Sequence, residues 1–194
     1  MKKLLILITS PPACGKTRLA KKLSSALGNV VYLDKDALIP LSKRIFSVAK
    51  KPFNRSSAFF NREVRDYEYE VILNLGVEAL KYADKVVINA PFTREVRDAK
   101  FIAGLSDRVN RIGGELLVVW ITASEELCHK RMKKRNSYRD GWKLSHWSEY
   151  IKTVDFSSPR ETVGDKLFEF DNENEENTER CFSALLERIS AVTA

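Results

Sequence analysis

The triplet Gly15-Lys16-Thr17 carries the groups that proteins use to bind a nucleotide phosphate. The glycine lets the backbone approach a phosphate closely, the lysine reaches the β and γ phosphates, and the threonine hydroxyl can ligate Mg²⁺. Ser10 stands where the motif G-x-x-x-x-G-K-[ST] has its first glycine, a position at which the chain turns sharply. The apolar run before the triplet and the helical pattern after it, which a chance G-K-T lacks, favour a phosphate-binding loop.

The spacing Asp34-x-Asp36 places two carboxylates just after a second apolar run. Open α/β sheets bind ligands at the carboxyl ends of their strands, so a carboxylate there lies beside the phosphate loop and suits proton transfer. An isolated D-x-D also caps helices, and Ala37 begins a plausible helix. The distance from the phosphate loop favours catalysis, with capping as the alternative. A dinucleotide-binding fold is rejected because no G-x-G-x-x-G follows the first apolar run, although Asp34 lies at the distance expected for its acidic residue.

Two arginines in a later basic segment, Arg131 and Arg135, are four residues apart and therefore share one face of a predicted helix. Such a pair can stabilise the negative charge of a transferring phosphoryl group while a lid excludes water. Arg139 follows in the polar stretch 136–148, which is predicted to be a mobile loop. An exposed basic helix is the alternative interpretation of these arginines.

Length and composition are typical of one domain, because 194 residues with 44% hydrophobic content can bury a sizeable core. The net charge of +7 favours anionic ligands without distinguishing nucleotides, phosphorylated metabolites and nucleic acid. The apolar run Leu4–Ile8 is too short for a signal peptide or a membrane span, so a cytoplasmic protein is expected. Three widely spaced cysteines without a C-x-x-C pair argue against a disulfide framework or a zinc site and predict reduced thiols.

Apolar runs of strand length alternate with amphipathic stretches, which predicts an α/β fold with a parallel sheet covered by helices. The predicted strands are Leu4–Ile8, Val30–Leu33, Lys85–Asn89, Glu115–Ile121 and Lys166–Phe170. The predicted helices are 15–28, 42–49, 62–82, 93–111, 124–135 and 181–192, with an acidic polar segment, 171–179, before the last. The stretch 40–82 is a long insertion between the second and third strands, where a substrate-facing element is expected. Its Arg55, Arg62 and Arg65 would suit an acidic or already phosphorylated acceptor.

With "SPPACGKT" followed by "VVYLDKDAL", and with the R-x-x-x-R spacing inside "CHKRMKKRNSYRDGWKL", the sequence resembles the P-loop kinases of the nucleoside-monophosphate-kinase-like group. The resemblance is strongest to the small AAA-family ATPases or predicted kinases related to gluconate kinase, chloramphenicol phosphotransferase and the kinase domain of polynucleotide kinase. It covers nearly the whole chain, so residues 1–194 are expected to form a single domain. It implies a P-loop NTPase three-layer sandwich with a five-stranded parallel sheet in the order 2-3-1-4-5 and a helical insertion. It also implies a lid, around 136–148, between the helix after the fourth strand and the last strand. The implied reaction transfers the γ-phosphoryl group of ATP, with Mg²⁺, to an acceptor.

The same resemblance implies roles for residues at matching positions. Asp36 would accept the proton of the attacking hydroxyl or orient that hydroxyl, and Lys16, Arg131 and Arg135 would complete the catalytic set. Thr17 and Asp36 would belong to the metal shell, and Asn172 falls where the family's adenine-contacting loop lies. The residues implied to bind the nucleotide are Pro12, Ala13, Cys14, Gly15, Lys16, Thr17, Arg18, Arg131 and Asn172.

Two departures from the family pattern keep other functions open. The third strand ends at Asn89, where many P-loop enzymes carry an aspartate that holds a magnesium-bound water, and Ser10 replaces the first motif glycine. The leading hypothesis is an ATP-dependent kinase for a hydroxyl of a small metabolite such as a sugar or nucleoside. One alternative is a polynucleotide 5′-kinase, which the basic insertion motivates; the other is an ATP-binding switch without transfer activity. No membrane partner is expected, and the oligomeric state is left open.

Overall fold

Five parallel strands form one sheet in the computed structural model, which describes residues 2–137 and 140–193. The strands are β1 (Lys3–Thr9), β2 (Val31–Asp34), β3 (Lys85–Asn89), β4 (Gly114–Thr122) and β5 (Leu167–Asp171). Their order across the sheet is β2-β3-β1-β4-β5, and each neighbouring pair is parallel. The predicted fold class and strand order are therefore confirmed.

Ten α-helices lie within the described residues. They are α1 (Lys16–Leu27), α2 (Ile39–Val48), α3 (Ala58–Glu63), α4 (Arg65–Ala79), α5 (Ala99–Asn110), α6 (Glu125–Arg135), α7 (Gly141–Ser145), α8 (Trp147–Ile151), α9 (Arg160–Val163) and α10 (Glu175–Thr193). Gly28, with φ 69°, ends α1 at the predicted place. In the part of the chain that the structure describes, no helix is both long and apolar enough to cross a membrane.

Alternate side chains of β1 enter two separate cores on opposite faces of the sheet. Leu5 and Leu7 pack with buried residues of α4 and α5, whereas Ile6 and Ile8 pack with buried residues of α1 and α10. A strand covered on both faces is a continuous apolar run rather than an alternating one, which is why the β1 sequence is so uniformly apolar. The loop that leaves the carboxyl end of β1 is therefore held by a strand that is buried on both faces.

The stretch 136–148 contains helical turns, so its prediction as a loop is wrong. Helices α7 and α8 occupy most of it, and ring stacking stabilises both. Trp142 stacks on His146 one turn later, with ring centroids 5.1 Å apart, and Trp147 stacks on His129 of α6 at 4.2 Å. Arg139, the third predicted lid arginine, lies outside the described residues.

Two predicted helices are interrupted by local backbone geometry. The helix predicted over 62–82 is divided at Val64, whose φ of −131° and ψ of −43° separate α3 from α4. The helix predicted over 93–111 begins only at Ala99, because Asp98 is its N-cap and accepts a hydrogen bond from the Lys100 amide. A short 3-10 turn, Glu95–Arg97, precedes that cap.

The final helix begins six residues earlier than the predicted start at Cys181. Glu175 and Glu176 lie in its first turn, where carboxylates interact favourably with the positive end of the helix dipole. The acidic segment that composition marked as a polar connection is therefore partly the first turns of α10.

Candidate active site

The phosphate loop, residues 10–15, connects the end of β1 to the first residue of α1. Ala13 and Gly15 have left-handed backbone, with φ of 68° and 103°. A Cβ on Gly15 would lie 2.3 Å from Nδ2 of Asn172, so this position requires glycine. Ser10 is not among the described residues with positive φ, and its hydroxyl donates to the Pro11 carbonyl at 2.7 Å. Serine therefore fits the turn where the motif has its first glycine.

Asn172 and Arg131 hold the loop through the carbonyl of Cys14. The Asn172 amide donates to that oxygen at 2.6 Å, and Nη1 of Arg131 donates to it at 3.4 Å. Nη2 of Arg131 also donates to the Asn172 carbonyl at 2.9 Å, while the Thr178 hydroxyl donates to Oδ1 of Asn172 at 2.9 Å. Both polar ends of the Asn172 amide are thus engaged by the protein. Its adenine contact stays a prediction, and its observed contacts position the phosphate loop.

Thr17, Asn89 and Asp34 meet at the carboxyl edge of the sheet. The Asn89 amide donates to the Thr17 hydroxyl at 3.1 Å and to Oδ2 of Asp34 at 2.9 Å. The parallel pairing of β2 with β3 causes this meeting, because it places Asp34 directly beside Asn89. Oδ1 of Asn89 is buried and accepts no hydrogen bond from the residues that the structure describes. A hydroxyl, a carboxylate and a spare amide oxygen therefore lie together beside α1.

Asp34 also performs the capping role that the sequence left as an alternative. Its Oδ1 accepts the backbone N–H of Asp36 at 3.0 Å, at the start of the 3-10 turn Lys35–Leu38. The Tyr32 hydroxyl donates to Oδ2 of Asp34 at 2.9 Å. Burial and this hydrogen bond raise the pKa of Tyr32 to about 12, so the phenol remains a donor at neutral pH.

Asp36 lies on the other side of the same turn and contacts the insertion. Its Oδ1 is 3.2 Å from Nη1 of Arg55, and 48% of its side chain is exposed. Nη2 of Arg55 in turn donates to the buried carboxylate of Glu68 at 2.6 Å. Lys35, 2.5 Å from Glu68, and the hydroxyl of Ser42 bind the same carboxylate. Glu68 is therefore the centre of a network that fixes Arg55 against Asp36.

The two cations of this network differ in their surroundings. Lys35 is almost fully buried, and burial lowers the pKa of its ammonium group, although the hydrogen bond to Glu68 opposes that shift. Arg55 is partly exposed, at 26%. With Asp36 and Glu68 the four charges balance, so the network presents no excess of positive charge.

The other predicted site residues are brought together only in part. Lys16 is half-buried as the first residue of α1, and Thr17 and Arg18 are exposed beside it. In the loop before them, Pro12 and Ala13 are half-buried and Cys14 is buried.

Arg135 shares the α6 face of Arg131, as its spacing predicts, but it contacts a different partner. Its Nε and Nη2 donate to Oδ2 of the buried Asp140 at 2.8 and 2.7 Å.

Sequence reasoning missed the direct neighbour of Thr17 and the centre of the charge network. It assigned the metal shell to Asp36, whereas the carboxylate that Asn89 joins to Thr17 belongs to Asp34. The signal for Asp34 was strand pairing: β2 ends at Asp34 and β3 ends at Asn89, so two adjacent parallel strands bring these residues together. Glu68 gave no such signal, because a lone glutamate in an amphipathic helix is typical of an exposed face.

Comparisons with known proteins support this fold over nearly the whole chain. A family model described as an AAA domain matches residues 5–156. No curated protein matches the chain. A gluconokinase structure from Sinorhizobium meliloti 1021 is 15% identical with a TM-score of 0.57, and the alignment covers 97% of this chain and 95% of that one. A shikimate kinase from Bacteroides thetaiotaomicron is 15% identical, with a TM-score of 0.54 and coverage of 98% and 99%. Kti12 of Chaetomium thermophilum, solved with ADP-AlF3, is 16% identical with a TM-score of 0.58 and coverage of 98% and 99%.

Proposed function

The chain belongs to the AAA domain family and has the fold of the P-loop kinases, and from this premise we propose that it is an ATP- and Mg²⁺-dependent phosphotransferase. The acceptor is a hydroxyl group of a small metabolite. Lys16, Arg131 and Arg135 act on the phosphates, and Asp36 acts on the acceptor. The single domain 1–194 carries both halves of the reaction, with the acceptor bound against the insertion 40–82 and the lid formed around 136–148.

The observation that carries this proposal is that the carboxylates of Asp34 and Asp36 contact different parts of the site. Asp34 is joined to the phosphate loop through Asn89 and Thr17, whereas Asp36 is turned toward Arg55 and solvent. A phosphotransferase needs acidic groups in both places, one near the charge of the nucleotide and one near the attacking hydroxyl. A protein that only binds nucleotide needs no proton acceptor in the second place.

The oxygen atoms around Thr17 fit Mg²⁺. This cation prefers oxygen ligands and keeps several of its waters, so it takes few direct protein ligands. The Thr17 hydroxyl, the Asp34 carboxylate and Oδ1 of Asn89, which accepts no hydrogen bond within the described part of the chain, form such a set. Asp36, the second metal residue predicted from the sequence, is held beside Asp34 through its backbone N–H, and its role in the metal shell stays a prediction. When bound, Mg²⁺ neutralises charge on the phosphates.

The remaining steps belong to side chains of the chain itself. The loop amides and Lys16 bind and orient the phosphates, because the backbone around Ala13 and Gly15 is already turned into the left-handed form. Arg131 acts from α6, where it holds the Cys14 carbonyl. Arg135 leaves Asp140 as the lid closes and adds its charge to that of Lys16. Asp36 accepts the proton of the acceptor hydroxyl.

The charges near Asp36 favour a neutral acceptor. Three arginines of the insertion suggested an acidic acceptor. Of these, Arg62 is exposed and pairs with Glu63, and Arg65 pairs with Glu95 at 2.6 Å. Arg55 remains beside Asp36, and Glu68 neutralises it. A polyhydroxylated metabolite without a phosphate or carboxylate group therefore suits this region best.

The decisive experiment is turnover of ATP and Mg²⁺ with a pooled library of hydroxyl-bearing metabolites, followed by mass spectrometry. We expect one or more products heavier by a phosphoryl group, absent from reactions with Lys16→Ala and strongly reduced with Asp36→Asn. ATP binding without any product across the library would contradict the proposal. Salt-sensitive binding of single-stranded oligonucleotides, with phosphate transfer to their 5′ ends, would replace it with the polynucleotide kinase alternative.

A further inference from the structure

Two cysteine thiols face each other between the phosphate loop and the lid helix. The Sγ atoms of Cys14 and Cys128 are 3.5 Å apart, and both residues have no exposed surface. Cys14 is the loop residue before Gly15, and Cys128 lies on α6, one turn before Arg131. The third cysteine, Cys181, is half-buried on α10. The chain brings these two thiols together across 114 positions of sequence.

We propose that Cys14 and Cys128 are a redox-sensitive pair that a peroxide oxidises to a disulfide, and that this bond weakens nucleotide binding at the phosphate loop. A disulfide has a sulfur–sulfur distance of about 2.0 Å, so the two atoms need to approach by only about 1.5 Å. Formation of the bond is independent of the proposed function, whereas its effect on ATP affinity rests on it.

The surroundings of the pair distinguish the two thiols chemically. The hydrogen bond with Cys14 lowers the pKa of the Cys128 thiol, and the Arg131 guanidinium acts in the same direction. The hydrogen bond with Cys128 and burial raise the pKa of Cys14. Cys128 is therefore the thiol that reaches the thiolate first, and the thiolate is the form that reacts with peroxides.

The reaction balances with one molecule of hydrogen peroxide as oxidant. The Cys128 thiolate attacks one peroxide oxygen, the O–O bond breaks, and Cys128 becomes a sulfenic acid while hydroxide leaves and takes up the thiol proton as water. The sulfur of Cys14 then attacks the Cys128 sulfur, and the sulfenic oxygen leaves as a second water with the Cys14 proton. The sulfur pair loses two electrons, and the peroxide gains them. A dithiol reductant reverses the change.

The new bond would act directly on the phosphate loop. The Cys14 carbonyl is held at 2.6 Å by Asn172 and is also bound by Arg131, so its position is set by contacts with two other elements. Gly15, the next residue, lies so close to Asn172 that a Cβ on it would be 2.3 Å from the Asn172 Nδ2. Pulling the Cys14 side chain toward α6 therefore strains this part of the loop, which the proposed function needs in one conformation.

Coupling between two events at one loop is reciprocal. If the disulfide lowers the affinity for nucleotide, bound nucleotide must favour the reduced pair by the same factor. Both sulfurs are buried, so peroxide also requires a local opening between the loop and α6 to reach them. Bound ATP should therefore protect the pair from oxidation.

The test treats the full, reduced chain with hydrogen peroxide, with and without ATP and Mg²⁺. Intact mass gives the loss of two hydrogen atoms, and peptide mapping without reductant identifies the linked cysteines. ATP affinity is measured by calorimetry before and after. We expect a Cys14–Cys128 linked peptide, an ATP affinity lower by a factor of about ten, recovery with dithiothreitol, and slower oxidation when ATP is present.

Two variants separate this pair from other thiol chemistry. Cys181→Ser keeps the pair, so it should respond to peroxide like the unaltered chain. Cys128→Ser lacks one partner, so its ATP affinity should survive the same treatment. If Cys128→Ser fails to fold, the linked peptide and the response of Cys181→Ser still test the proposal.

Three results would overturn the proposal: no linked peptide, linkage through Cys181, or a linked pair with unchanged ATP affinity. A reduced chain that binds no ATP would instead refute the proposed function, and the linked peptide would still show whether the disulfide forms.

Discussion

The Asn89 amide donates a hydrogen bond to the Thr17 hydroxyl at 3.1 Å. The contact joins the end of a central strand to the second residue of α1, across the mouth of the phosphate loop. The same amide nitrogen binds Asp34, so a neutral side chain connects the loop threonine with the nearest carboxylate. An aspartate at position 89 would stand beside Asp34 and add a second negative charge. The asparagine thus permits Asp34 to supply the acidic group from the neighbouring strand.

This arrangement predicts different defects for the two aspartates of the D-x-D motif. Asp34→Asn should raise the Mg²⁺ concentration needed for half-maximal ATP binding by about 10- to 100-fold, because it removes the charge beside Thr17. Asp36→Asn should leave that concentration nearly unchanged and lower kcat by about 10²- to 10⁴-fold, because it removes the proton acceptor. Calorimetry over a Mg²⁺ series, and steady-state kinetics with the acceptor found by the library screen, measure the two effects.

The reversed outcome would reassign the residues. A Mg²⁺ requirement that rises in Asp36→Asn and stays normal in Asp34→Asn would restore Asp36 to the metal shell predicted from the sequence. Equal defects in both variants would mean that the carboxylates act on one ligand together.

The buried Glu68 predicts a large stability effect at a residue that no motif marks. Glu68→Gln removes the negative charge that Lys35 and Arg55 share, and Lys35 is 4% exposed. Leaving a buried charge without its partner should lower the free energy of unfolding by about 3 kcal/mol or more. Urea unfolding measures this change.

Glu63→Gln is the matched control, since Glu63 also pairs with an arginine but at the surface. Its pair with Arg62 is exposed at both ends, so the change should stay within about 0.5 kcal/mol. Equal unfolding midpoints for the two variants would show that the Glu68 network does not stabilise the fold.

The sheet was predictable because each buried strand is marked by its own short stretch of sequence. Strands such as β1 and β4 are buried on both faces, and a continuous apolar run of strand length has few other uses. The phosphate loop was predictable for a related reason. Position 15 has a φ of 103°, which glycine adopts without strain and residues with a side chain rarely adopt.

Side-chain partners at the site were less predictable because they depend on packing between distant segments. Glu68 becomes a network centre only when α4 lies against the turn after β2, a contact that no periodicity encodes. The lid helices were missed for a similar reason, because the stacking of Trp147 on His129 joins two different helices. The departure at Ser10 was visible in the sequence, but only the backbone angles showed that a residue with a side chain fits there.

The ion pair between Asp155, in the segment after α8, and Arg97, in the 3-10 turn after β3, is predicted to be sensitive to acid. Hydrogen bonds from Arg97 and Ser157 hold the pKa of Asp155 well below its usual value of 3.8. A lowered folded-state pKa adds stability above the unfolded-state pKa, and that stability is lost as the pH falls. The difference in unfolding free energy between the unaltered chain and Asp155→Asn should therefore be constant from pH 7 to about pH 5 and shrink below about pH 4.

Urea unfolding of both chains at a series of pH values measures this difference. Arg97→Lys is a useful companion, because it keeps the charge and loses the shaped hydrogen bond. A difference that grows on acidification would contradict the assignment of Asp155 as the acid-sensitive partner.

The contact between Gly15 and Asn172 predicts a coupled pair of substitutions. Gly15→Ala places a Cβ 2.3 Å from Nδ2 of Asn172 and forces a φ of 103° on a residue with a side chain. It should lower the free energy of unfolding by about 1–3 kcal/mol and abolish tight ATP binding. Asn172→Ala removes the clashing atom, so Gly15→Ala should be less damaging in that background, with a residual cost of about 1 kcal/mol from the backbone.

Gly104→Ala, in the open interior of α5, should instead stabilise the chain by about 0.5–1 kcal/mol. Urea unfolding of the four-member cycle and of the Gly104 variant measures these effects. Additive losses at Gly15 and Asn172 would show that backbone strain alone, and not the packing of Asn172 against the loop, requires glycine at position 15.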